Sequence, residues 1–209
     1  MKLPIVALIG VVVIAIAVVL FVIGSPQGPR LSDVASLKEP RITSCPGQRV
    51  LQVTAKGNPE LIGKKAFRLL MKAYFGVKGV PKYGPNFKPP RARWPSGIET
   101  PASEWIGLYA MPVPDSISAV PAAKVPEGMK IEFTKWDYGE VAEILHVGGY
   151  AMEPPTSARL KSFINDKGYE IAGYHEEEYL KGPGMLFPGD PKNYLTIIRY
   201  QVRKVAEAK

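Results

Sequence analysis

The chain is 209 residues long, which suffices for one domain of ordinary size with its own core and a short further segment. A single cysteine, Cys45, excludes an intrachain disulfide, and two histidines, His146 and His175, are too few for a His/Cys metal cluster. The formal net charge of +8 invites an anionic partner, but no Walker loop, no GxGxxG after a strand, no HExxH and no GxSxG accompanies it.

Residues 4–24 read PIVALIGVVVIAIAVVLFVIG and carry no charge. About 20 residues rising ~1.5 Å each cross the ~30 Å hydrocarbon core of a bilayer. A cleaved signal peptide has a shorter apolar stretch, of roughly 7–15 residues, and a small-x-small cleavage site. Ser25-Pro26-Gln27-Gly28-Pro29 offers a poor site, so residues 1–24 read as a retained single-pass transmembrane anchor and the protein as a membrane protein. Lys2 stands on one side and Arg30, Lys38 and Arg41 on the other, which leaves the orientation open. Residues 25–46, rich in Pro, Gly, Ser and charge, read as a tether, with room for one helical turn over Leu31 to Leu37. The soluble domain then spans 47–209.

Gln48 to Lys56 starts as a strand, and Asn58-Pro59 supplies a helix cap and a first helical residue. Leu61, Ile62, Phe67, Leu69, Leu70, Ala73 and Tyr74 follow at helical spacing. A Pro-rich loop is expected from Gly76 to Ser103, then a strand from Glu104 to Val113 with Trp105, Gly107, Tyr109 and Met111 on one face. Strands follow over Lys130 to Lys135 and over Val141 to Val147. A helix spans roughly Pro155 to Asp166, burying Leu160, Phe163 and Ile164, and Gly168 marks its stop. Glu170 to Leu180 and Tyr194 to Val202 are the last strands. The order strand, helix, strand, strand occurs twice, which predicts an α+β fold: two such units sharing one antiparallel sheet, with both helices on one face.

The stretch Tyr174-His175-Glu176-Glu177-Glu178-Tyr179 sets three acids inside a strand. Alternation puts His175, Glu177 and Tyr179 on one face and Glu176 and Glu178 on the other. A carboxylate with a tyrosine two residues on, facing an aromatic wall of Trp105 and Tyr109, suits a cationic or aromatic ligand. Spacing alone favours the plainer alternative, a solvated acidic edge strand that resists aggregation. From Leu61 to Ile98 there are nine basic residues and no acid. Lys64, Lys65, Arg68 and Lys72 share a helix face. That face is either simply solvated, or drawn to anionic lipid headgroups, or docked on an acidic protein; no motif supports nucleic acid.

The segments Ala142-Glu143-Ile144-Leu145-His146-Val147-Gly148-Gly149-Tyr150, Gly168-Tyr169-Glu170-Ile171-Ala172-Gly173 and His175-Glu176-Glu177-Glu178-Tyr179-Leu180 resemble the GyrI-like small-molecule-binding family. Leu160-Lys161-Ser162-Phe163-Ile164, Pro183 and Leu195-Thr196-Ile197-Ile198-Arg199-Tyr200-Gln201-Val202 extend the resemblance. It is strong over about the last 75 residues and fainter over Gln48 to Pro114. It implies a duplicated strand-helix-strand-strand fold with a ligand cleft between the halves. It also implies that Glu177 faces that cleft with Tyr179 beside it, and, with less support, that Trp105 and Tyr109 line it. Members of the family include effector domains of multidrug-responsive regulators, and some hydrolyse reactive small molecules with a Glu and a Tyr in this cleft. Here the apolar segment stands where regulators carry a DNA-binding module, and no helix-turn-helix pattern is present.

The expected function is thus a membrane-anchored domain that binds a planar or cationic organic molecule, with hydrolysis by Glu177 and Tyr179 as a further option. The alternative is an accessory subunit of a membrane complex with a vestigial cleft. No cofactor is expected. The expected partners are the small-molecule ligand, membrane lipid and a protein of a membrane complex, not nucleic acid.

Overall fold

Asn58 turns the chain from its first long strand into its first helix: its side chain accepts the Glu60 backbone N–H at 3.0 Å, and Pro59 fixes the first helical φ. The protein is described by a computed structural model over residues 28–84, 86–96, 100–119, 123–184 and 187–206. Two short helical turns, Leu31–Val34 and Ala35–Lys38, lead into β1 (Arg41–Cys45) and β2 (Gln48–Lys56). Then come α1 (Pro59–Gly76), β3 (Arg91–Trp94), β4 (Ile106–Pro112), β5 (Met129–Trp136), β6 (Gly139–Val147), α2 (Glu153–Asp166), β7 (Tyr169–Lys181) and β8 (Leu195–Lys204). The expected anchor, 1–24, lies outside the described residues. Among those described, no helix is long and apolar enough to cross a membrane.

The eight strands form one sheet in the order β1-β6-β8-β7-β3-β4-β2-β5, every neighbouring pair antiparallel. The units β2-α1-β3-β4 and β6-α2-β7-β8 repeat one plan and meet at β3 and β7. The expected α+β architecture therefore stands, with two strands more than the sequence indicated. β1 lies inside the stretch expected as a tether, and β3 inside the expected Pro-rich loop. Each outer strand belongs to the other unit: β1 pairs with β6, and β5 with β2.

The links are short. Pro46-Gly47 joins β1 to β2, and Asp137-Tyr138 joins β5 to β6. Three peptide steps reach at most about 11 Å. Each link must nonetheless carry the chain from one end of the sheet to the strand beside its other end. The sheet is therefore rolled until its ends nearly meet, and Val50 and Ala110 of one half pack with Val141 of the other, around Trp136 and Tyr138. Side chains of the opposite parity point out of the roll and receive the helices. α1 buries Ala66, Leu69, Leu70 and Ala73 on Leu51, Val53 and Met111; α2 buries Leu160 and Ile164 on Ala142, Ile144 and Ile198.

The inside of the roll holds charge. Arg199 donates through Nε and Nη2 to Glu143 (3.0 and 2.8 Å) and through Nη1 to Glu176 (2.9 Å) and Glu178 (3.0 Å). Arg93 meets Glu176 at 2.7 Å and Arg91 meets Glu178 at 3.2 Å. Glu176 and Glu178 thus answer the expectation of a solvated edge strand with the reverse: β7 is central, and the two acids are buried and paired. The surrounding carboxylates hold the Arg199 guanidinium firmly protonated against the burial that opposes its charge. Arg199→Ala would leave Glu143 with only the half-exposed Arg41, and Glu176 and Glu178 with one arginine each. It is expected to cost about 3–5 kcal/mol, the range for breaking a buried pair from one side, in urea denaturation at neutral pH.

Candidate functional site

The join between the halves builds the site. β3 runs antiparallel to β7 with Trp94 opposite His175 and Ala92 opposite Glu177. On the outer face, between α1 and α2, Glu177 collects three donors. Its Oε1 lies 2.9 Å from Trp94 Nε1 and 3.1 Å from His175 Nε2, and its Oε2 accepts the Tyr179 hydroxyl at 2.6 Å. With its proton on Nε2, His175 donates to Glu177 and accepts the Tyr200 hydroxyl at Nδ1, 2.8 Å away; Tyr200 in turn lies 3.0 Å from Ser157 Oγ. Of these donors, the Trp94 indole and the Tyr179 hydroxyl carry no charge. Among the described residues, no Arg or Lys pairs with Glu177.

A second acid lies beside it. Glu153, the first residue of α2, is only 7% exposed, and its Oε1 has no hydrogen-bond partner among the described residues. Burial, and then the charge of Glu177, pushes the Glu153 carboxyl up to about 8. Oxygens of Glu153 and Glu177 and a ring nitrogen of His175 all lie within 4.8 Å of one another. Such a trio can hold a proton, an organic ammonium or a divalent ion. Among the described residues it is the group whose spacing would suit a metal, and two of its three ligands would be glutamates, which a count of His and Cys overlooks.

Aromatic rings enclose the acids. Phe67 of α1 meets Tyr109 at 4.9 Å and Tyr179 at 5.5 Å, Trp94 meets Tyr109 at 5.7 Å, and Tyr150 meets Tyr179 at 5.6 Å, all edge to face. Of the expected residues, Glu177, Tyr179 and Tyr109 come together here. Tyr109 is fully buried, its hydroxyl has no hydrogen-bond partner among the described residues, and burial followed by the charge of Glu177 pushes it up to about 12. Trp105 stands one layer back. Its ring is 6.2 Å from Trp94, and its Nε1 donates to the Thr100 carbonyl. A cavity of about 290 Å³ lies on the other face of the sheet, beside Arg93, Tyr138, Glu176 and Arg199.

Four contributors were not selected from the sequence. Trp94 sat in a Pro-rich stretch, and only the strand pairing of β3 aims it at Glu177. Tyr150 read as the end of a strand, and Glu153 lies two residues before the expected start of the helix at Pro155, where an acid needs no explanation beyond the helix dipole. His175 shares the face of Glu177 by simple alternation, and that signal was legible.

No family model matches the sequence, and no curated protein matches it. Solved structures do. An uncharacterized conserved protein from Listeria innocua matches with a TM-score of 0.61 at 19% identity, over 79% of this chain and 93% of that one. A hydrolase from Listeria innocua matches with a TM-score of 0.59 at 17% identity, over 83% and 98%. The EcmrR C-terminal domain matches with a TM-score of 0.59 at 17% identity, over 80% and 98%. The likeness is one of fold: the chain has the GyrI-like fold that its motifs resemble.

The raised Glu153 carboxyl has a consequence for stability. Between its unfolded value near 4.5 and its folded value near 8, the folded protein binds more protons than the unfolded chain, so this group lowers stability as pH rises across that window. Glu153→Gln is therefore expected to stabilise the ligand-free protein at pH 8.5, on the order of 2–4 kcal/mol, and to change little near pH 4. Thermal melts of both proteins across this pH range check it; equal stabilisation at both ends would refute the ionic cause.

Proposed function

We propose that the protein is a membrane-anchored small-molecule-binding domain of GyrI-like fold, with residues 1–24 as its anchor, and that it takes a planar or cationic organic molecule between α1 and α2. The carrying observation is the pair Glu177 and Glu153: two neighbouring acids with no Arg or Lys paired to them among the described residues, beside rings that offer π-faces. The same chain pairs its other buried β7 acids with arginines. A bound cation would supply the charge that the outer face lacks. Tyr150, 41% exposed, is the most accessible ring of the cluster and the one whose rotation would admit a ligand.

The packed rings also suit the alternative, an accessory subunit whose cleft no longer binds. A disused cleft, however, gains nothing from retaining a buried acid with a partnerless oxygen, which costs stability at neutral pH. Hydrolysis remains attached to the binding reading: Glu177, in contact with the Tyr179 hydroxyl, is placed to act as a general base toward a water on a bound substrate.

Replacing Glu177 by Gln keeps the shape and removes the charge. Binding of an aromatic monocation, followed by quenching of tryptophan fluorescence, is expected to weaken by about 1–3 kcal/mol, while a neutral ligand of the same outline loses little. Equal loss for both ligands would point to a disrupted site rather than a lost charge. No binding of either by the native protein would leave the accessory reading in front.

A further inference from the structure

The two acids between α1 and α2 share their place with an imidazole, and the three side chains form a donor set. A ligand atom from each of Glu153, His175 and Glu177 lies within 4.8 Å of the other two. His175 Nε2 is 3.1 Å from Glu177 Oε1. Imidazole nitrogens and carboxylate oxygens sit about 2.0–2.2 Å from a zinc-sized ion, which puts neighbouring donors about 3–3.5 Å apart. The imidazole and the Glu177 carboxylate are already at that spacing. Glu153 needs to close in by no more than roughly 1–2 Å, within the swing of its side chain.

Two further observations point to an ion. The first is buried oxygen without a partner. Glu153 is 7% exposed and Thr196, beside it, 0%. Neither Glu153 Oε1 nor Thr196 Oγ1 has a well-formed hydrogen bond among the described residues. Thr196 stands opposite Tyr179 across β7 and β8, which sets it on the same face as Glu177. Buried oxygens left in this state are costly, and an ion with a bound water satisfies several at once. The second is the setting of the imidazole. His175 Nδ1 lies 2.8 Å from the Tyr200 hydroxyl, which lies 3.0 Å from Ser157 Oγ. In the tautomer with its proton on Nδ1, His175 donates to Tyr200, Tyr200 donates to Ser157, and the Nε2 lone pair is left beside Glu177. A ligating histidine is typically held in this way through its second nitrogen. His146 is set differently: its Nε2 faces the Gly149 carbonyl at 3.3 Å, an acceptor that commits this nitrogen to donating.

We infer that Glu153, His175 and Glu177 bind a divalent first-row transition ion of the Zn²⁺ kind, and that such an ion and an organic cation exclude one another. The inference goes beyond the reading above: it uses the same acids and stands or falls apart from any organic ligand. Two carboxylates balance the two charges of the ion. The imidazole favours zinc over magnesium and calcium, which prefer all-oxygen sites, and Zn²⁺ outcompetes Mn²⁺ on a given set of ligands.

The test uses the untagged full chain, stripped of metal by a chelator that is then removed. Zn²⁺ uptake is measured by equilibrium dialysis at pH 7.5, and Co²⁺ supplies a visible spectrum that reports its ligands. Quenching of tryptophan fluorescence by an aromatic monocation is followed with and without Zn²⁺. The expected result is one Zn²⁺ held per chain, no retention of Mg²⁺ or Ca²⁺, and displacement of the monocation by Zn²⁺. A lost ligand costs at least what a lost outer-shell partner costs, so Glu153→Gln and His175→Gln are each expected to weaken Zn²⁺ at least about tenfold. Both are checked for a native-like melt, and Glu153→Gln, which removes a buried charge, is the variant expected to fold best. Tyr200→Phe breaks the link from His175 to Ser157 without touching a ligand; it is expected to weaken Zn²⁺ about tenfold and to leave the Co²⁺ spectrum nearly unchanged. Equal Zn²⁺ uptake in every variant would mark an adventitious ion only and overturn the site. No uptake, with the monocation still bound, would overturn the inference and leave the organic ligand in place. Uptake that the variants lose, with no monocation bound in the absence of Zn²⁺, would uphold the ion and overturn the organic ligand.

Discussion

One guanidinium holds the middle of this molecule. Arg199 lies inside the rolled sheet, 6% exposed, and reaches acids on both strands beside its own: Glu143 on β6, and Glu176 and Glu178 on β7. Arg93 and Arg91 of β3 bind the same two β7 acids from the other half, so the seam between the halves is sewn by charge on its inner side. Buried ion pairs give little net stability over well-packed apolar residues. Their geometry, however, is exacting. A shift of β7 by one residue would take Glu176 and Glu178 off the arginines and turn them outward, while Glu177 would turn in. The network therefore fixes the register of β3 against β7, and that register places Trp94 and His175 on Glu177.

The two faces of β7 show how the same residue type is put to different use. Inside the roll, each glutamate has an arginine within 3.2 Å. Outside, Glu177 has the indole of Trp94, the imidazole of His175 and the phenol of Tyr179, and Glu153 beside it has an oxygen, Oε1, without a well-formed hydrogen bond among the described residues. Neutral donors satisfy the lone pairs of a carboxylate without cancelling its charge, and a second acid beside it raises the cost further. The burial of Tyr179 next to Glu177 pushes its hydroxyl well above the ordinary phenol range, so it stays a donor. The outer face is thus organised to keep negative charge available, and the inner face to consume it.

Alternation and helical spacing gave the long elements correctly: β2, α1, β4, α2, β7 and β8 fall where periodicity set them, within a few residues. Two strands escaped. β3 has four residues, Arg-Ala-Arg-Trp, after a Pro-rich run, too short for a period to register, and its strand character comes wholly from pairing with β4 and β7. β1 pairs with a strand some hundred residues later, as in the match of Arg41 to Glu143, which no local pattern announces. The same blindness led spacing to favour an edge position for β7: a run of acids looks alike whether it faces water or buried arginines, and only the sheet order distinguishes them. In the site, the face shared by His175, Glu177 and Tyr179 was readable because strand alternation is local. Glu153 and Trp94 were not, because tertiary contact alone brings them there.

Gly28 brings the first of the described residues onto the strand that carries the site. β7 runs from the far end of the sheet, past Glu177 and Tyr179, to Leu180, where Gly28 packs. Glu177 is three residues from that contact, about 10 Å along a strand. The acid of the site and Tyr150, whose hydroxyl lies beside Gly182, are therefore close to the place where Gly28 packs on β7.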